Sequence, residues 1–553
     1  VAGVPMSRPA SNGWLLVVAA VALACGGGAG TDAVPGDDVP GLDTPGDTLE
    51  PVDTAPADLP PLDDLAPDVL PPQATLQLEA PGAVRPGEPF PVIVRLLTVE
   101  GAPDVATSGT ITLEDAATGA ALGDVRLWHG VGSVEARVAS AGQVVLRASV
   151  GPIVGTRTLT VQAAPSPREL EGELSGADLA WGPGAAVRLV GDAIVPAGRT
   201  LTVAAGVTVR GTVAANLIVR GHLVVEGTAD LPAWFTADGD TPWGGVVHEA
   251  APGTYAHALF TRGGGDAARQ FGHSHSQPVL FVKQATVTLD GVAFLDNAGK
   301  GPSGDRATYV LTGGLVTRCD TGGEWESSAV TVRDSWVLEM PSADGQPADD
   351  DNDGIYLHLS LPGADGQPVA SRVERSVFAV GKDDGVDQNG ATLVVQRVLL
   401  AGFAHEGLAT SNKGRVEATS VLATRCEQGF EVGYSADDPD PLHLVLDHVV
   451  ATDNDVGFRL GDSYDKDVVG TLTVTNSIAT GNRLHNVWNH VNKLDGPLEG
   501  HLSISTCMVD DSAWNGTNGN LPGTPTFDAS WHLVPGTTGT GAASDGSDLG
   551  LLP

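Results

Sequence analysis

Residues 74–163 alternate apolar and polar positions with a period of two. "ATLQLEA", "FPVIVRLLT", "GTITLED", "GSVEARVA", "QVVLRASV" and "RTLTVQA" all read this way. Turns of Gly and Pro separate them at intervals of about 8–12 residues, the pattern of a small β-sandwich. From about residue 164 the pattern changes. In "IVPAGRTLTVAAGVTVRG" and "LIVRGHLVVEGT" short apolar strands stand between glycines. Further along, whole segments repeat: "VERSVFAVGKDDGVDQNG", "VVQRVLLAGFAHEGLATSN", "VEATSVLATRCEQGFEVGY", "LVLDHVVATDNDVGFRLGD" and "LTVTNSIATGNRLHNVWNH". One alanine recurs at 379, 401, 423, 451 and 479, and a glycine recurs at 385, 407, 429 and 457. "VTLDGVAFLDN" (287–297) and "VTVRDSWVLEM" (330–340) are earlier members. Short strands repeating at this spacing are what one coil of a β-helical solenoid needs, and the longer steps carry surface insertions. The register predicts that Val386, Leu408, Phe430 and Phe458 stack inside the tube.

The opening glycine-punctuated strands resemble the first coils of right-handed parallel β-helix proteins, the pectate-lyase-like superfold. The alternating segment before them resembles bacterial immunoglobulin-like modules. The expected fold class is therefore all-β: a right-handed parallel β-helix, a single-stranded solenoid, over 164–531, preceded by a small immunoglobulin-like β-sandwich over 74–163. A C-terminal tail fills 532–553. The sandwich carries no evident chemistry and is expected to serve as a spacer or stalk.

Composition agrees. The chain has 553 residues, 72 of them glycine, with 42% apolar and only 5% aromatic residues, which favours short strands and turns over helices. Acidic residues outnumber basic ones 68 to 30, and the net charge of −38 argues against nucleic acid and against direct binding to anionic lipid headgroups. The N-terminus changes the picture of location. Met6-Ser7-Arg8 is followed by "GWLLVVAAVALAC", an apolar run of signal-peptide length that is short for a membrane span. Ala22-Leu23-Ala24-Cys25 resembles the lipobox of bacterial lipoproteins, which implies lipidation of Cys25 and an exported protein held at the outer membrane or cell surface. The alternative is an ordinary secretory signal with an incidental cysteine. Residues 26–73, rich in Pro, Asp, Gly and Thr, cannot bury a core and are expected to form an extended, disordered tether. Cys319, Cys426 and Cys507 allow at most one internal disulfide.

The candidate chemistry lies in acidic turns. "ADDDNDGIYL" (348–357) and "GKDDGVDQNG" (381–390) each end at the start of a short strand. In the repeat register Asn352, Asp383, His405, Glu427 and Asp455 stand two positions before the glycine. Asp353, Asp384, Glu406 and Gln428 stand one before. Tyr356, Asp387, Ala409, Glu431 and Arg459 stand two after. Parallel coils stack at roughly 4.8 Å, so each set is a column of neighbours. Carboxylates that close repel each other. A hard cation such as Ca²⁺ resolves the conflict, as does a shared proton that makes one group an acid and its neighbour a base. Splayed, solvated turns resolve it without any function.

Two resemblances bear on the choice. "NDG" (352–354), "DDG" (383–385) and "HEGLATSNKG" (405–414) follow the order of motifs in polygalacturonase-like glycoside hydrolases. That resemblance implies Asp384 as the catalytic acid, Asp353 and Asp383 as water-activating or positioning groups, and His405 as their support. Glu406 interrupts the family's Gly-His-Gly segment, and its Arg-Ile-Lys segment is missing. Asp383, Asp384 and Asp387 also resemble the Asp-Asp-Gly-x-Asp turn of a calcium-dependent pectate lyase family, which implies Ca²⁺ held by these three with Asp353. Those enzymes use a lysine base. "GFRLG" (457–461) carries Arg459 at the corresponding segment, and Lys413 is an unaligned substitute. Glu406, Glu431 and Arg459 are the candidate substrate-binding groups.

Upstream, "GHSHSQP" (272–278) spaces His273 and His275 to share one face of a strand, which suits a transition metal or an exposed loop. "TRCDTGGEWESS" (317–328) gathers Cys319, Asp320 and Glu324 at a coil corner. If both segments fold over the acidic face they frame a groove. These motifs together also resemble uncharacterised bacterial surface β-helix proteins, which implies a fold and no activity. Two functions follow as expectations. One is an exported, lipid-anchored protein that binds a polysaccharide and, as an enzyme, cleaves it as a hydrolase or lyase. The other is a non-catalytic adhesin or structural lipoprotein. The sequence leaves the oligomeric state open.

Overall fold

The computed structural model describes residues 74–99, 101–163, 166–341, 352–435, 441–462, 470–490, 501–511, 513–528 and 530–552. The expected leader, Cys25 and the tether lie outside the described residues, as do Asp349, Asp350 and Asp351. Among the described residues no helix is long and apolar enough to cross a membrane.

The chain is all-β. Residues 75–161 form two sheets. Thr75–Glu79, Pro89–Leu97 and Val131–Arg137 make an antiparallel three-stranded sheet; Ala83–Val84, Gly109–Asp115, Ala121–Leu127, Gly142–Val150 and Ile153–Val161 make a five-stranded one. Their alternating apolar residues, among them Val92, Val94, Leu113, Leu146 and Leu159, meet in one core.

From Arg168 to Val509 the strands join a single 35-stranded sheet. Each strand pairs in parallel with the strand one coil further on, which gives three ladders running the length of a solenoid compatible with a parallel β-helix. The repeat register appears in the pairing. Val386 lies beside Leu408, Leu408 beside Phe430 and Phe430 beside Phe458, all buried. At one corner Gly322, Gly354, Gly385, Gly407, Gly429 and Gly457 form a column. A Cβ on any of the first five would lie 1.9–2.8 Å from the carbonyl oxygen of the next glycine. Only glycine lets the coils close at this corner, so the recurrence fixes the turn that presents the acidic residues.

One ladder is apolar on its outer side too. Trp234, Leu259, Ala293, Leu315, Trp336, Val377, Leu399, Leu422, Val450, Ile478 and Met508 are successive rungs. The two-sheet module covers its first part: Trp234, Leu315 and Trp336 share the module's core, and the Trp336 indole donates to the Trp128 carbonyl at 3.1 Å. A bidentate Arg210–Glu88 pair at 2.8 Å closes the same contact. Leu533, Ala543 and Leu549 of the tail cover the later rungs Leu422 to Met508. The module expected as a spacer is thus packed onto the solenoid as a cover, because the apolar column needs burial. Among the described residues neither the module nor the tail covers the ladder bearing the acidic turns. Cys319, Cys426 and Cys507 are buried free thiols.

Candidate functional site

The open ladder runs through Val246–Glu249, Leu280–Lys283, Pro302–Asp305, Glu324–Arg333, Ile355–Ser360, Val386–Asn389, Glu406–Ser411, Gln428–Val432, Val456–Leu460 and His485–Asn489. Period-two alternation turns one set of side chains into the core and the next outward. On the outer side Glu324 neighbours Tyr356, Tyr356 neighbours Asp387, and Glu431 neighbours Arg459, which neighbours Trp488. Along the glycine corner the residues one position earlier form a second column: Lys300, Thr321, Asp353, Asp384, Glu406 and Gln428. The site lies between the two columns.

The carboxylates gather in two overlapping sets that share Asp384. Oxygens of Asp353, Asp384 and Asp387 lie within 4.8 Å of one another, and so do ligand atoms of Asp383, Asp384 and His405. Asp383 pairs with His405 Nδ1 at 2.7 Å. The four aspartates expected to share one ion therefore divide: Asp383 groups with His405 and Asp384, and Asp353 and Asp387 group with Asp384. Asp353 is 1% and Asp384 7% exposed, so these turns do not splay into water.

Burial dominates the proton affinities. It pushes Asp384 well above the usual carboxylate range, and the charges of Asp383, Asp387 and Asp353 push it further, with a hydrogen bond from Glu406 opposing. The Glu406 carboxyl is raised by burial and then by Asp384. Glu431 is raised by burial and then by Glu406, against the pull of Arg459 at 2.9 Å. Asp384, Glu406 and Glu431 thus form a row that holds protons at pH values where exposed carboxylates have lost them. Arg459, 4.0 Å from Glu406, ends the row and lies over the Trp488 ring at 5.2 Å.

The other end carries residues the sequence reading had set apart. The segment 272–278 is a turn rather than a strand, so His273 and His275 do not share a strand face. It folds over the open ladder. The backbone N–H of His273 donates to Glu324 at 2.9 Å, its Nδ1 lies 3.1 Å from the same carboxylate, and its Nε2 lies 3.8 Å from Asp353. The His273 ring packs on Tyr356 with centroids 4.0 Å apart. Ser274 and Ser276 donate to Asp320, whose other oxygen accepts from the Asn352 amide at 3.2 Å. The two upstream segments frame the acidic face together. Cys319 is not part of it: its thiol is inside the tube, and burial pushes it up to about 12.

Sequence reasoning missed Lys300. It is fully buried, pairs with Glu324, and precedes Gly301 in the same corner column as Asp353 and Asp384. The signal was "NAGKGP", two coils upstream of the segments that were aligned. Burial alone would raise Glu324, but the His273 hydrogen bond and the Lys300 charge hold it down to about 2. Trp488 was also missed, although "LHNVWNH" continues the column that contains Arg459. The Lys413 carbonyl accepts from the Gln388 amide at 2.9 Å.

Neither family models nor curated proteins gave a match to this chain. The arrangement itself offers two chemistries. A carboxyl that keeps its proton among further carboxyl groups offers an acid–base arrangement. An all-oxygen set, with Asn352 Oδ1 buried and unbonded among the described residues at the same turn, suits a hard cation.

Proposed function

We propose that this protein is an exported, lipid-anchored right-handed parallel β-helix that binds a polysaccharide along its open ladder and hydrolyses it at Asp384. The observation that carries the reading is the sharing of Asp384 by the two sets. In this reading Asp384 donates its proton to the glycosidic oxygen as that bond breaks. Asp383, oriented by His405, takes a proton from the attacking water, and Asp353 positions that water. Glu406, Glu431 and Arg459 bind the flanking sugar, with Trp488 beside them as an aromatic surface. Right-handedness follows the strong preference of parallel strand crossovers, and the covering module is taken as immunoglobulin-like from its two facing sheets.

Asp353, Asp384 and Asp387 are the residues that would hold Ca²⁺, which would neutralise the acidic turn. A proton and a cation compete for Asp384, so acid chemistry and calcium binding belong to different states of this residue. Hydrolysis is preferred over lyase chemistry because Arg459, at the segment that corresponds to the lyase lysine, is engaged by Glu431 at 2.9 Å.

The test is a polysaccharide screen with the full chain, with and without calcium. New reducing ends, lost in Asp384→Asn, are expected. Ultraviolet-absorbing unsaturated products would show a lyase instead. The deep burial of Asp353 and Asp384 favours a second reading, a non-catalytic adhesin. It predicts polysaccharide binding with neither product.

A further inference from the structure

Four rungs upstream of Asp387 on the open ladder lies Phe281, reached through Tyr356, Glu324 and Ser303. At the strand spacing this is about 19 Å. Here the structure has a cavity of about 350 Å³. Phe271, from the segment over the acidic face, and Phe281 line it with their rings 4.8 Å apart and inclined by 50°. Arg269, Gln270, Gln277, Lys283, Glu249 and Asp305 supply polar groups around them.

The charges at this cavity are unevenly matched. In the register Lys283 stands between Glu249 and Asp305. Each has one oxygen engaged elsewhere: Glu249 accepts from Arg220 at 2.7 Å, and Asp305 from Arg306 at 2.6 Å, while Asp305 Oδ1 is buried without a hydrogen bond among the described residues. Arg269 lies near Asp192 and Asp266, at 3.5 and 3.3 Å. Among the described residues Lys283 has no carboxylate partner, and its side chain is exposed. An ammonium without a counter-ion beside two half-buried aromatic rings is unusual on a chain of net charge −38. An aromatic surface takes the apolar face of a sugar ring, and a cation at its edge takes a carboxylate.

We infer that this cavity is a second glycan-binding site, which takes one carboxylate-bearing sugar unit on Phe271 and Phe281 with its carboxylate on Lys283. The inference rests on the polysaccharide reading for its class of ligand, and it adds a site separate from the acidic cluster. It also explains the path of 266–278. That segment contributes Phe271 to the cavity and, two residues later, His273 to Asp353, so one loop serves both ends of the face.

The test is calorimetric titration of the full chain with a six-unit oligouronate and with its carboxyl-reduced, neutral counterpart. The oligouronate is expected to bind more tightly. Lys283→Gln should weaken it by about tenfold and leave the neutral compound unchanged. Phe271→Ala should weaken both, while Asp384→Asn retains the preference for the charged compound. The inference is overturned if Lys283→Gln and Phe271→Ala both bind as wild type does while Asp384→Asn loses binding; the acidic-cluster reading then survives alone. Absence of binding by either compound to any variant overturns both. Binding lost through Lys283 and Phe271, with Asp384→Asn cleaving as wild type does or no cleavage by wild type, supports the cavity and removes the catalytic reading.

Discussion

Lys300→Met isolates the buried cation on which one end of the acidic face depends. Its ammonium is fully buried against the Glu324 carboxylate, itself 6% exposed, and His273 is the other group holding that carboxylate ionised. Glu324 sits at about 2 in place of 4.5, a difference equivalent to about 3 kcal/mol of stability at neutral pH. Because the folded value is depressed, this contribution is present above about 4.5 and is lost as pH falls toward 2. Removing Lys300 leaves a buried carboxylate facing one half-exposed histidine, and the expected cost is about 3–5 kcal/mol. The assay is urea unfolding followed by tryptophan fluorescence, at neutral pH and at intervals down to pH 3. Lys300→Met should lower the midpoint at neutral pH and flatten the acid-side loss. Lys300→Met/Glu324→Gln should recover most of the deficit, since no buried charge is then left unpaired. A cost under about 1 kcal/mol for Lys300→Met, with an unchanged acid limb, would refute the pairing as a source of stability.

The row of raised carboxyls has the opposite sign. Asp384, Glu406 and Glu431 keep protons that the unfolded chain gives up, so stability should fall as pH rises from about 4 through their folded values; Glu406→Gln should reduce that fall in urea midpoints measured from pH 5 to 9. Gly385→Ala places a Cβ 2.6 Å from the Gly407 carbonyl oxygen and 2.9 Å from Phe403, and should cost about 1–3 kcal/mol in the same unfolding assay. Trp336→Ala opens the contact between module and solenoid; a loss of about 3–5 kcal/mol and faster proteolysis near residues 163–167 are expected.

The solenoid was legible because glycine and alanine recur with the coil, and close packing at one corner leaves no substitute for glycine. The inner stack Val386, Leu408, Phe430 and Phe458 followed from that register alone, as did the neighbours Asp353 and Asp384. The division of the aspartates was not legible. Register places side chains in columns but does not say which way a carboxylate turns, and Asp383 turns to His405. Lys300 lies in regular coils that the long step from Glu324 to Tyr356 separates from the aligned turns, and His273 lies in an inserted loop, so their approach to Glu324 and Asp353 is a tertiary fact. The covering of the apolar column was hidden for a related reason: Trp234, Leu315 and Trp336 look like core residues wherever they are buried, whether by the tube or by a neighbouring module.

Calcium titration followed by calorimetry in two buffers of different ionisation enthalpy tests the sharing of Asp384 most directly. The account predicts one calcium site whose occupation releases a proton. Asp387→Asn should abolish calcium binding, Asp384→Asn should abolish both binding and proton release, and His405→Ala should leave both in place. Calcium binding without proton release, or binding unaffected by Asp384→Asn and Asp387→Asn alike, would contradict a single site built around Asp384.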